Sequence, residues 1–75
     1  MYIRKVSICP DYKSGAMHYV QGNTISRGSD DVIDTIEVLD DGTIKIWVNT
    51  AKGIVLWKEF NKNMPYSVEY NVDLL

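Results

Sequence analysis

Residues 43–49, Thr43-Ile44-Lys45-Ile46-Trp47-Val48-Asn49, alternate between aliphatic side chains and all others, and the run lies between two short bends that each end in glycine. Side chains of a strand point to opposite faces in turn, so this pattern predicts a strand with one face buried. The flanking runs, Val32–Leu39 and Ile54–Phe60, are rich in β-branched and aromatic residues and predict strands on either side of it.

The bends set the register. At Asp40-Asp41-Gly42 a two-residue loop would place Glu37 opposite Ile46 and Val38 opposite Lys45, mixing charge into both faces. A three-residue loop with Gly42 in the left-handed conformation instead pairs Val38 with Ile44, Ile36 with Ile46 and Glu37 with Lys45. The same solution at Ala51-Lys52-Gly53 closes Thr50 against Ile54. It sets Val48 against Leu56 and Ile44 against Phe60 inside, and Trp47 against Trp57 and Lys45 against Glu59 outside. The outer face then carries Thr35, Trp47 and Trp57 beside Glu37, Lys45 and Glu59. Lys58 falls on the inner face beside Ile46, where it must reach water from the open end of the core.

Elsewhere, Tyr2–Ile8 predicts a first strand stopped by Pro10, Ala16–Gln21 a short second strand, and Tyr66–Val72 a last one. Thr24-Ile25-Ser26 fits either a further short strand or irregular chain, and Arg27–Asp31 reads as a polar turn. The expected fold is a single all-β domain over residues 1–75, an antiparallel meander of five or six strands curled into a small barrel or a compact roll. At 75 residues it has room for one core, and a domain of that size buries only about 60% of its unfolded surface.

Composition narrows function. No apolar run approaches the roughly 20 residues of a membrane helix. Arg4 and Lys5 are followed by only a few apolar residues before Pro10, which is not a secretory pattern, so a cytoplasmic location is expected. The net charge of −2 lacks the basic excess by which nucleic-acid-binding domains release counterions, and it is too small to imitate DNA.

The residues that chemistry would need are scarce. Cys9 and His18, with Asp11 or Asp34, are the only candidates for a nucleophile, base and orienting acid, and no activated-nucleophile motif surrounds them. One cysteine and one histidine fall short of a tetrahedral zinc set. Asp30-Asp31 and Asp40-Asp41 lack the further oxygen ligands of a calcium loop and read as turn residues. Glycines 15, 22 and 28 do not form a phosphate cradle. Neither enzyme activity nor a cofactor is expected.

What is left is the tryptophan pair. Two indoles on one sheet face form a large apolar, π-rich surface. It is open to covering within the chain, to contact with a second copy, or to a partner. The expected function is a non-enzymatic binding module, an inhibitor or sequestering protein, with Trp47, Trp57, Lys45, Glu59 and Tyr19 as contact residues and Tyr12 and Tyr66 adding aromatic edges. The alternative is a small β-barrel that binds single-stranded nucleic acid, stacking bases on tryptophan while Lys13, Lys45, Lys52, Lys58 and Lys62 meet phosphates.

The stretch Cys9-Pro10-Asp11-Tyr12 through Gly15-Ala16-Met17-His18-Tyr19, in a short chain without enzyme motifs, resembles the small accessory proteins of tailed bacteriophages. That resemblance implies a host-takeover or anti-defence role in the host cytoplasm, by blocking a host protein or trapping a small nucleotide-like signal. It implies no role for any particular residue.

Overall fold

The computed structural model describes residues 3–9, 15–61, 63 and 65–70. It contains six strands: β1 (Ile3–Ile8), β2 (Met17–Val20), β3 (Val32–Val38), β4 (Ile44–Thr50), β5 (Gly53–Phe60) and β6 (Tyr66–Tyr70). Tyr2, the Pro10 stop, Asp11, Tyr12, Lys13, Lys62 and the end of the last strand at Asn71 and Val72 lie outside the described residues. All-β architecture is as the sequence predicts, and among the described residues no helix is long and apolar enough to cross a membrane.

The strands form two antiparallel three-stranded sheets, in the orders β2-β1-β6 and β3-β4-β5. The last strand pairs with the first, so the arrangement departs from a simple meander. A corner joins the sheets: the Gly22 N–H donates to the Ile33 carbonyl at 2.9 Å, the Ile33 N–H to the Asn23 carbonyl at 2.9 Å, and Thr24 bridges Val32. The Thr24 stretch is thus a single bridge rather than a strand. Among the described residues β5 and β6 do not pair, and a closed barrel is not formed.

Both central strands face one core. Val6 and Ile8 of β1 and Ile44, Ile46 and Val48 of β4 are buried together with Tyr19, Ile33 and Ile36. Alternation explains the set, because every second residue of a strand reaches the same side. The polar turn at Arg27–Asp31 is present, with the Ser29 N–H donating to the Ser26 carbonyl at 3.1 Å and the Asp31 N–H to Ser29 Oγ at 3.1 Å.

The first hairpin of the β3-β4-β5 sheet has the register that the sequence predicts. The Leu39 N–H donates to the Thr43 carbonyl and the Gly42 N–H to the Leu39 carbonyl, at 2.8 and 2.9 Å, around a three-residue loop with Gly42 at φ 93°. Val38, Glu37 and Ile36 oppose Ile44, Lys45 and Ile46. Beyond them Asp34 is an extra residue, since Thr35 opposes Trp47 and Ile33 opposes Val48. That bulge brings Ile33 to the inner face alongside Ile36.

The second hairpin corrects the sequence-based register. Thr50 opposes Gly53, not Ile54, and Asn49, Val48 and Trp47 oppose Ile54, Val55 and Leu56. Thr50 favours this shorter closure: its hydroxyl donates to the Gly53 carbonyl at 2.8 Å and accepts from the Lys52 N–H at 3.1 Å, satisfying the bend's own polar groups. A bulge at Trp57 then restores the count, so that Lys58, Glu59 and Phe60 oppose Ile46, Lys45 and Ile44 as predicted.

Burial sets the expected energetics. Ile46→Ala removes a fully buried side chain from the middle of the sheet and is expected to cost about 2–4 kcal/mol in urea unfolding, against less than about 0.5 kcal/mol for Ile54→Ala, which trims an exposed one. Equal losses would contradict this assignment of the core.

Candidate functional site

The residues that the sequence groups as a contact surface divide between two environments. Trp47 stands on the outer face, because its neighbours Ile46 and Val48 are both buried. Its indole N–H donates to Glu37 Oε1 on the adjacent strand, which fixes the ring against the sheet. Lys45 and Glu59 oppose one another on the same face with Nζ and Oε1 at 3.8 Å. Both are solvated, so the pair marks a polar border and contributes little stability.

Trp57 does not join them. As the extra residue of the bulge it is turned toward the core, where it packs edge-on against Tyr19, with ring centroids 5.8 Å apart and planes at 81°. The ammonium of Lys58 lies 4.9 Å from the Trp57 ring centroid and 5.8 Å from that of Tyr19, so Lys58 is inside as predicted and covers both rings. Tyr19 itself is only 8% exposed, touches Phe60 as well, and donates its hydroxyl to Met17 Sδ at 3.6 Å. The expectation of two outward indoles, with Tyr19 as a further contact residue, is therefore corrected: Tyr19 belongs to the core, Trp57 packs at its boundary, and of the two indoles only that of Trp47 remains outside. Tyr66 opens β6, in the other sheet.

The shift that withdraws Trp57 exposes others. Leu56 takes the place opposite Trp47, and Ile54, Val55 and Leu56 are 56%, 45% and 42% exposed. They are consecutive, so apolar side chains project from both faces of β5, whose far edge is unpaired among the described residues. The outer row thus reads Thr35, Trp47, Leu56. The signal in the sequence is the charge-free run Gly53–Trp57, which carries none of the lysines or prolines that usually protect a sheet edge.

An open groove of about 500 Å³ lies along the side of β3 that is unpaired among the described residues, and is lined by Ile3, Gln21, Thr35, Ile36, Val38 and Tyr70 together with Glu37. Gln21 Nε2 donates to the Asp34 carbonyl at 2.9 Å and closes one end of that edge.

Among the described residues weighed for chemistry, His18 and Asp41 make hydrogen bonds within the fold. His18 Nδ1 shares a 2.8 Å hydrogen bond with Ser7 Oγ across β1 and β2, and Cys9, past the end of β1, is exposed, its backbone N–H donating to the Pro65 carbonyl. Asp41 Oδ1 accepts from the Thr43 N–H at 2.9 Å, which is the turn role that the sequence predicts for it. Among the described residues no three histidine, cysteine or carboxylate side chains gather as metal ligands.

Comparison with protein-family models, curated proteins and solved structures finds no match to this chain.

The different settings of the two indoles have a measurable consequence. Trp57→Ala is expected to lower the unfolding free energy by about 2 kcal/mol through lost burial and ring contact, and Trp47→Ala by less than about 1 kcal/mol. A larger loss at Trp47, measured by the same urea titration, would contradict the assignment.

Proposed function

We propose that the protein is a non-enzymatic binding module that works by contact through the outer corner of β4 and β5. The observation that supports this is the contiguous exposure of Ile54, Val55 and Leu56 beside a Trp47 ring already held by Glu37. An apolar centre with a fixed aromatic, bordered by Glu37, Lys45 and Glu59, has the composition of a protein contact, in which apolar anchors sit inside a polar rim. Fixing the ring before contact reduces the ordering cost of binding. Trp57 and Tyr19, spent on the core, are not contact residues in this proposal.

Blocking or sequestering a protein is the form of binding that fits best, and it is the role that the resemblance to phage accessory proteins implies. The charge balance of −2 argues against a nucleic-acid partner, since such a partner would draw its affinity from counterion release.

Site-specific photo-crosslinking tests the proposal. A benzoylphenylalanine placed at Leu56 is expected to give a discrete protein adduct in the producing cells, whereas the same probe at Ser7, on the polar face of the other sheet, gives none. Equal adducts from both positions, or single-stranded DNA binding that weakens steeply with salt and no protein adduct, would contradict it.

A further inference from the structure

We infer that the free edge of β5 pairs antiparallel with β5 of a second copy, about a two-fold axis at Val55, to make one continuous six-stranded sheet in the order β3-β4-β5-β5-β4-β3. The inference rests on the β4–β5 corner being the contact surface; it assigns the edge of β5 to a second copy and leaves Trp47 with its polar border for the protein that is blocked or sequestered.

The edge itself dictates that the partner be a strand. β5 pairs with β4 on one side, and its other side, unpaired among the described residues, presents a row of backbone donors and acceptors that only an extended chain satisfies in full. The lower half of the strand is protected, because the bulge at Trp57 interrupts the row and Lys58 and Glu59 follow it. The upper half, Gly53 to Leu56, has no such protection, and its side chains are apolar on both faces.

Self-complementarity selects a second copy and a register. A two-fold axis normal to the sheet keeps each face on its own side, so outward residues meet outward residues. With the axis at Val55, the two Val55 side chains meet on one face, and Ile54 of each copy meets Leu56 of the other on the opposite face. All three exposed aliphatic residues then find an apolar partner. The outer row extends from Trp47 through Leu56 to Ile54 of the second copy. An axis at Ile54 would set Leu56 against Lys52, and one at Leu56 would set Ile54 against Lys58 and run through the bulge. Each alternative buries a lysine against an aliphatic side chain within the contact, whereas the axis at Val55 sets Lys52 opposite Lys58 only beyond the Gly53–Trp57 stretch. The contact closes as a dimer, since pairing consumes the upper half of the edge in both copies. An interface of four or five residues a side falls below the roughly 1,200 Å² at which stable complexes begin, so the dimer forms at micromolar or higher concentration.

Sedimentation equilibrium of the full chain tests this. Between about 10 μM and about 1 mM, the range in which interfaces below standard size associate, the mass is expected to climb from 8.6 kDa toward twice that value. Val55→Lys should hold it at the monomer mass with the β-signal in circular dichroism intact. Ile54→Lys serves the same purpose should Val55→Lys fail to fold. In a Cys9→Ala background, Val55→Cys is expected to oxidise to a covalent dimer, because the two residues face each other on the axis. Ile54→Cys should not, because its two copies lie diagonal to one another beyond disulfide reach. A wild-type mass of 8.6 kDa throughout the range, unchanged association in both lysine variants, or faster oxidation at position 54 than at 55 would overturn the inference. If the chain is monomeric yet the Leu56 probe captures a different protein, pairing of copies is wrong and the contact surface stands. If it is monomeric and the probe captures nothing, both fail.

Discussion

The structure turns on one residue, Trp57, and on the extra place it occupies in β5. Without a bulge there, the two-residue closure at Thr50 and Gly53 would carry Lys58 to the outer face and Glu59 into the core. One inserted residue reverses that parity. The shorter closure already turns Trp57 inward onto Tyr19; the insertion returns Lys58 to a position over both rings and leaves Glu59 outside with Lys45. The closure at Thr50 and Gly53 leaves Ile54, Val55 and Leu56 exposed on an edge that is unpaired among the described residues.

A second bulge lies across the sheet, at Asp34 of β3, so Trp47 on the regular central strand has an irregularity on either side. Bulges bend strands and increase local twist. Their coincidence at one level turns the sheet over the shared core and explains how Ile33 and Ile36 both reach it. Stability and contact thereby draw on different side chains of the same strands: Ile44, Ile46 and Val48 hold the sheets together, while Trp47 and Leu56 are left to whatever the protein meets.

The first hairpin was legible because a single pattern decides it. Alternation through residues 44–48 and a glycine-ended bend admit one register that keeps charge off the inner face. The second hairpin offers two registers that agree over Lys58, Glu59 and Phe60 and differ only between Thr50 and Trp57. From Ile54 to Trp57 every residue is apolar, and alternation gives no guidance. Thr50 decided the outcome through hydrogen bonds with its own bend, a local effect that pairing of side chains does not reveal. The pairing of β1 with β6 was hidden for a different reason, since partners some sixty residues apart leave no periodic trace. Of the contact residues inferred from sequence, Trp47, Lys45 and Glu59 share the outer face, whereas Tyr19 belongs to the core and Trp57 to its boundary.

Nuclear Overhauser contacts of the two indoles test the opposite-face arrangement most directly. Rings on opposite faces give ring-to-ring contacts between Trp57 and Tyr19 and none between Trp47 and Trp57. Contacts between the two tryptophan rings, with Tyr19 remote from both, would contradict it.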